Sequence, residues 1–246
     1  MSQRTTTPPG AARLTVCAAA AVGFAYLTWR MGWTRDGTEA WMFWSLWIAE
    51  LTIWVSLMRL TIETWTLRFD PVVSSRECTV DVVVVARDEP TEVLRATLLG
   101  CSELRGEPRT VVLDTIGRPA VAELAVTLDA EVIPSGTFDP AAEPETHLNA
   151  ALEHLDGELV AVVRGDEVPL PDMLERLCGD FDDESVWLSQ GRQAVYGPSA
   201  GDYDGASDEF AFFFGVIQPG KNHHRAAYWC GSGALVRRAA IAQEGG

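Results

Sequence analysis

Hydrophobic positions follow two regimes along the chain. Before residue 70 they run almost continuously; after it they come in short bursts between polar stretches. Residues 14–29 carry no charged side chain, and residues 41–58 carry one, Glu50. A hydrocarbon core of about 30 Å needs about 20 helical residues, and fewer when flanking side chains snorkel. Both stretches therefore predict transmembrane helices. Only Trp29-Arg30-Met31-Gly32-Trp33 follows the first, with no small-residue cleavage site, so a signal peptide fits less well. Trp29, Trp33 and Trp41 flank the connector and Trp65 follows the second span, the pattern of interfacial aromatic belts. Arg4 and Arg13 precede the spans, and Arg59, Arg68 and Arg76 follow them, which places both ends on the cytoplasmic side. Glu50 lies near the middle of the second span, where comparable charges cost roughly 2.5–3.5 kcal/mol to insert. The position predicts a protonated acid or a partner on another helix. Ser45, Thr52 or a further membrane subunit facing Glu50 could supply that contact.

The second regime alternates. Val80–Val85 is an apolar run with only Asp81 inside it, as expected of a strand covered on both faces. A helix is predicted over 91–101, a strand over 110–113, a helix over 118–128 with Pro119 in its first turn, and a short strand over 131–133. A proline-bearing loop at 134–145, a helix over 146–155, a strand over 159–163, a helix over 171–181 and a possible strand over 186–189 follow. Residues 197–207 read as a flexible loop before an aromatic stretch from Phe210 to Phe214. This order predicts an α/β domain: a mostly parallel sheet with helices on both faces, preceded by two transmembrane helices. The expected organisation is a cytoplasmic tail at 1–13, a transmembrane hairpin at 14–60, a linker at 61–78 and the α/β domain at 79–246.

Charge narrows the function. The 246 residues carry a net charge of −16, with 18 arginines and a single lysine, Lys221. Residues 1–69 have a balance of +2 and residues 70–246 a balance of −18. So acidic a domain argues against nucleic acid as a partner, because such binding displaces phosphate counterions with clustered cations. The five cysteines are odd in number, form no C-x-x-C and sit mostly in apolar runs, which suits a reducing compartment. The four histidines fall in no zinc-ligand spacing, and His223-His224 reads as loop.

In a sheet of this kind ligands bind beyond the carboxyl ends of the strands. Ala86-Arg87-Asp88-Glu89-Pro90 follows the first soluble strand, Asp114-Thr115 the second, and Arg164-Gly165-Asp166-Glu167 the fourth. Carboxylates at three exits suit Mg²⁺ or Mn²⁺ shared with phosphates. An Asp in such a place is also a common turn former or N-cap. There is no G-x-x-x-x-G-K-[ST], no G-x-G-x-x-G and no G-x-S-x-G.

From about Tyr26 to Gly246 the chain resembles the membrane-bound family 2 glycosyltransferases of the cellulose synthase-like group. The residues that carry the resemblance run in the family's order. Val80-Asp81-Val82 through Asp88-Glu89-Pro90 is similar to its opening strand and N-E-P turn, and Val112-Leu113-Asp114 to its V-L-D-D. Leu148-Asn149-Ala150-Ala151-Leu152 is similar to its N-L-N-x-A-L, and Gln190 and Gln193 to its Q-T-P-Q. The most specific stretch is Val216-Ile217-Gln218-Pro219-Gly220-Lys221, then Tyr228-Trp229-Cys230-Gly231-Ser232 and Arg237-Arg238.

The resemblance implies a GT-A, Rossmann-like fold and transfer of a sugar from a nucleotide-diphosphate sugar, a UDP-hexose, to a growing polysaccharide. It implies nucleotide-sugar binding by Ala86, Arg87, Glu89, Asp114, Thr115, Arg164 and Asp166, with Asp166 holding Mg²⁺ or Mn²⁺. Gln190, Gln193, Trp229, Cys230, Gly231 and Ser232 then lie by the glycan acceptor. It also implies a bilayer-embedded, multi-pass protein of the inner membrane with its soluble domain in the cytoplasm.

Several positions depart from the pattern. Thr115 replaces the second Asp of V-L-D-D, Arg164 the first Asp of D-x-D, and Pro144 a Lys ahead of N-L-N. Two unit charges ~4 Å apart at an effective dielectric of ~20 interact by about 4 kcal/mol, so Arg164 weakens a cation at Asp166 unless Glu167 or Asp114 offsets it. A guanidinium could instead pair with the diphosphate directly. The sequence stops at Gly246, ahead of the family's T-E-D base and Q-x-x-R-W motifs, so the domain is expected to be incomplete and no catalytic residue is assigned. The alternative function is an inactive relative acting as a membrane-anchored partner of a polysaccharide synthase.

Overall fold

The computed structural model describes residues 4–35, 37, 39–69, 78–133, 148–149, 151–194 and 209–243. The chain divides into two compact units, Met1–Phe69 with Ala194–Ala227, and Asp70–Gln193 with Tyr228–Gly246. Residues 70–77 of the expected linker and the loops expected at 134–145 and 197–207 lie outside the described residues.

The first unit is built on two helices, α1 (Gly10–Trp33) and α2 (Ala40–Glu63). Each has 24 residues and is long and apolar enough to cross a membrane. They run antiparallel. Gly23 faces Trp54 so closely that a Cβ would collide with the indole, Trp47 Nε1 donates to the Leu27 carbonyl at 3.1 Å, and Arg30 meets Glu50. Glu50 thus finds its partner inside the hairpin. Arg30 Nε and Nη2 donate to its two oxygens at 3.0 and 3.2 Å, and the Tyr26 hydroxyl donates at 3.2 Å. The expected help from Ser45 and Thr52 is not observed, because their hydroxyls donate to the Met42 and Ile48 carbonyls of their own helix. With the pair closed by α1, a further subunit facing Glu50 does not follow from that residue.

Two short strands, β1 (Arg4–Thr6) and β2 (Leu67–Phe69), pair antiparallel beside the hairpin. The aromatic stretch, to which the pattern assigns no element, is helical: α6 (Glu209–Phe212) passes through a π turn, Phe213–Ile217, into α7 (Gln218–His223). Gly220 sits where a Cβ would lie 2.5 Å from the Glu63 carbonyl oxygen, so only glycine lets α7 lie against the chain leaving α2. His223 closes α7, and its ring meets that of His224 edge-on.

The second unit is a six-stranded sheet flanked by helices. Its strands are β3 (Val80–Ala86), β4 (Arg109–Asp114), β5 (Glu131–Ile133), β6 (Leu159–Arg164), β7 (Leu188–Gln190) and β8 (Ala234–Arg237). They lie in the order β5-β4-β3-β6-β8-β7. The first four are mutually parallel, and β8 is antiparallel to both β6 and β7. The sheet is thus mostly parallel, as the alternation of elements requires.

Period-two alternation splits β3 between two cores. Val82, Val84 and Ala86 pack with Leu94, Leu98 and Cys101 of α3 (Thr91–Ser102) and Val121 and Leu124 of α4 (Pro119–Thr127). Val83 packs on the other face with Val111, Leu113, Val160 and Leu155. Truncating Leu98, 1% exposed, to Ala would cost about 2–5 kcal/mol through the lost contacts and the cavity left behind.

Two of the expected helices give way to 3₁₀ turns at their C-terminal ends. The expected 171–181 helix is α5 (Met173–Cys178) followed by a 3₁₀ turn, Gly179–Asp182. Of the expected 146–155 helix, the described part ends in a 3₁₀ turn, Leu152–His154, under the second core. A last helix, α8 (Arg238–Gln243), follows β8.

Candidate functional site

Strand register decides where the chemistry lies. Ala86 is paired with Asp114 across β3 and β4, and Val85 with Arg164 across β3 and β6, so three parallel strands end at one rim. The chain leaving β3 turns at Arg87, whose N–H donates to Glu89 Oε2 at 2.7 Å. The Glu89 carboxyl lies over Gly165, where a Cβ would stand 3.1 Å from it and 3.3 Å from the Val85 carbonyl oxygen. A larger residue at 165 would make the Glu89 carboxyl and the Val85 carbonyl give by a few tenths of an ångström. Gly165 is further pinned by its N–H to the Val85 carbonyl at 2.9 Å and by the Thr97 hydroxyl to its carbonyl at 2.8 Å.

Asp114 is 1% exposed. Its Oδ2 accepts the Arg118 N–H at 2.7 Å, and its Oδ1 accepts the Ile116 N–H and Arg118 Nε, each at 3.3 Å. It thus makes the turn into α4, the structural role open to an Asp at a strand end, and holds an arginine as well. Arg118 Nη1 donates to the Glu89 carbonyl at 2.8 Å, tying the β4 exit to the β3 exit. Arg118 Nη2 is buried and has no hydrogen-bond partner. A buried donor left unmet costs about 1–3 kcal/mol. Thr115 is half-buried beside this turn.

At the β6 exit Arg164 Nε and Nη2 donate to the two oxygens of Asp166 at 3.0 and 2.5 Å. That hydrogen bonding raises Arg164 above its ordinary value, against the opposing effect of burial and with further help from the charges of Asp166, Glu167 and Glu89. The Arg164 side chain remains 60% exposed. Asp166 is therefore closed by its own neighbour. Among the described residues no group of three or more His, Cys, Asp or Glu side chains could hold a metal ion. The rim carboxylates Glu89, Asp114, Asp166 and Glu167 each take protein donors instead. As arranged, these residues do not fit the Mg²⁺ or Mn²⁺ expected at Asp166, because one bidentate guanidinium takes up both oxygens of the only assigned ligand.

A second cluster adjoins the rim. The Gln190 amide donates to the Ser232 carbonyl at 2.9 Å and accepts the Cys230 N–H at 3.0 Å. The Gln193 amide donates to the Ser232 carbonyl at 3.1 Å and to its hydroxyl at 2.9 Å. Gly231 and Gly233 take φ of 91° and 64°, a left-handed path that glycine follows without strain and that lets Ser232 point inward. The structure thus brings Gln190, Gln193, Cys230, Gly231 and Ser232 together. Trp229 stands at the edge, 37% exposed.

Glu167, expected at the β6 exit but assigned no binding role, joins the two clusters. Its Oε1 accepts the Ser232 hydroxyl at 2.6 Å and the Gln193 amide at 3.2 Å, while its Oε2 accepts the Arg164 N–H at 3.1 Å. Arg118 was missed too. Its only signal in the sequence was the four-residue spacing from Asp114, one helical turn at the start of α4.

No family model matches the chain. Curated relatives do. It is 33% identical over 179 residues to cellulose synthase 1 of Komagataeibacter xylinus, covering 68% of this chain and 11% of that protein. It is 29% identical over 244 residues to the UDP-forming cellulose synthase 1 catalytic subunit of the same organism, covering 92% of this chain and 32% of that one. A UDP-forming catalytic subunit of Pseudomonas fluorescens is 28% identical over 240 residues, covering 90% and 32%. The chain thus spans a third or less of the length of these relatives. Among solved structures, the mannosyltransferase PcManGT of Pyrobaculum calidifontis, in complex with GDP-Man and Mn²⁺, superposes with a TM-score of 0.53. It is 20% identical and covers 92% of this chain and 58% of that one, a likeness that fixes the GT-A fold. The family resemblance carried by the motifs is borne out: the homologues of this chain are cellulose synthase catalytic subunits.

Proposed function

We propose that this chain, a cellulose synthase relative with a GT-A fold, acts in transferring a sugar from a nucleoside-diphosphate sugar, a UDP-hexose, to a growing polysaccharide. One observation carries the reading. The motif residues Ala86, Asp114 and Arg164 end neighbouring parallel strands at a single rim. Such a rim is where open α/β sheets bind nucleotides. The donor would lie along Arg87, Glu89, Thr115, Arg118, Arg164 and Asp166. The acceptor glycan would approach Gln190, Gln193, Trp229, Cys230 and Ser232, with Glu167 spanning the two sides. Relatives named as catalytic subunits favour this reading over that of an inactive membrane-anchored partner.

Two helices of membrane-crossing length and the arginines flanking them support a multi-pass anchor in the inner membrane with the acidic domain in the cytoplasm. A divalent cation is present in the mannosyltransferase complex. In this chain it would fall to Asp166, whose oxygens are engaged by Arg164, and no step is routed through it.

The test is calorimetry on the full chain in lipid nanodiscs, titrated with UDP-glucose and with GDP-mannose, with Mn²⁺ and with chelator. Saturable heat with the uridine nucleotide alone supports the reading. No heat with either donor under either condition overturns it.

A further inference from the structure

The misfit between Asp166 and a cation has a positive counterpart. Two guanidinium groups stand at the strand exits, and each is seated on a carboxylate. Arg164 lies on Asp166 through Nε and Nη2, and Arg118 on Asp114 through Nε. Asp166 accepts from one edge of the Arg164 fork, so Nη1 and one Nη2 proton remain on the other edge of a side chain that is 60% exposed. Arg118 brings the buried Nη2 that no protein acceptor meets. Glu89 links the two: its carbonyl accepts Arg118 Nη1, and its carboxyl covers Gly165, next to Arg164.

We propose that Arg164, positioned by Asp166, takes the place of a divalent cation, and that this chain holds the diphosphate of its donor through Arg164 and Arg118 without a metal. The proposal rests on the donor-binding reading and deepens it. A fixed guanidinium suits the task. It is always charged, it presents parallel N–H groups at the spacing of phosphate oxygens, and it pays little ordering entropy when already held by a carboxylate. Asp166 thereby changes from a metal ligand into a guanidinium seat. The rim carboxylates are all held by protein donors: Asp114 by Arg118, Asp166 by Arg164, Glu89 by the Arg87 N–H and Glu167 by the Ser232 hydroxyl. The sequence pattern at 164–166 is thus a substitution of one cation by another.

The test titrates the full chain in nanodiscs with uridine diphosphate, in chelator and in Mn²⁺, and follows Mn²⁺ separately by its paramagnetic resonance. The unaltered chain should bind with dissociation constants agreeing within about threefold in the two conditions, and the Mn²⁺ signal should stay that of the nucleotide complex free in solution. Arg164→Ala should weaken binding in chelator by about tenfold or more, and Arg164→Lys, which keeps the charge and loses the fork, should fall between. Arg164→Asp, which places two carboxylates around Gly165, should bind only when Mn²⁺ is added. Circular dichroism confirms the fold of each variant. Binding by the unaltered chain only with Mn²⁺ overturns this inference and leaves the donor-binding reading standing. Binding by Arg164→Ala equal to that of the unaltered chain also overturns it. No binding by the unaltered chain in either condition overturns both.

Discussion

Asp81 and Asp114 are almost wholly buried carboxylates on adjacent strands, 3% and 1% exposed, at opposite ends of the sheet. Asp81 opens β3. Its Oδ2 accepts the N–H groups of Asp156 and Gly157, both at 2.7 Å, and so fixes the turn that leads into β6, with Arg109 3.8 Å away. Asp114 closes β4 and holds an arginine that keeps an unmet donor. Burial alone therefore does not mark an acid as part of a binding site. The donor it serves does. Backbone donors are used up by the contact, while a seated guanidinium has edges left for a ligand.

The sharpest way to break this comparison is Asp81→Ala. It leaves the buried Gly157 N–H and the part-buried Asp156 N–H without their acceptor, while Arg109 keeps Glu131, and should cost about 3 kcal/mol in urea unfolding. Nucleotide affinity of the molecules that stay folded should not change. Asp114→Asn should reverse the ranking. Its stability loss should be about 1–2 kcal/mol, while uridine diphosphate affinity should fall about tenfold because Arg118 loses its seat. Equal affinity losses in the two variants would show that the two ends of the sheet do not differ in this way.

A third buried acid sharpens the contrast because it has no charged donor. Cys101 sits in the α3 core, and burial pushes its thiol up to about 12. A raised acid contributes stability in full below its unfolded value of ~8.5 and loses it as pH climbs from there towards the folded value. Unfolding free energy should thus decline by up to about 1.4 kcal/mol per pH unit above ~8.5, and Cys101→Ala should remove that slope. The smallest effect belongs to Glu131, at the same end of the sheet as Asp81. The hydrogen bond from Arg109 lowers its pKa against a smaller effect of burial. Its contribution is present above ~4.3 and disappears as pH falls through the lowered folded value. With the side chain 62% exposed, solvent keeps the loss under ~1 kcal/mol in acid unfolding of Glu131→Gln against the unaltered chain.

The parallel half of the sheet was legible because its strands are continuous apolar runs. The strands expected at 110–113, 131–133 and 159–163 correspond to β4, β5 and β6 to within one residue at either end. Helices α3 and α4 were equally plain from spacing and from Pro119. β8 was not. Ala234–Arg237 is four residues long, and its place between β6 and β7 is a long-range pairing that no local period encodes. The rim itself could be read from strand order, yet the partner of each acid could not. Arg164 and Asp166 are two residues apart, a spacing that settles nothing until the turn at Gly165 folds the guanidinium back. The second cluster was legible as motif positions, while Glu167, its shared acceptor, looks in the sequence like one more acid in an acidic domain.

The Arg30–Glu50 contact ties the two helices together at unequal depths, because Arg30 stands near the end of α1 and Glu50 well inside α2. In a bilayer, as proposed above, Glu50 alone would add roughly 2.5–3.5 kcal/mol to the insertion of α2, while Arg30 could snorkel to the interface. α1 would then act as the escort of α2, bringing a guanidinium to an acid that could not reach water by itself.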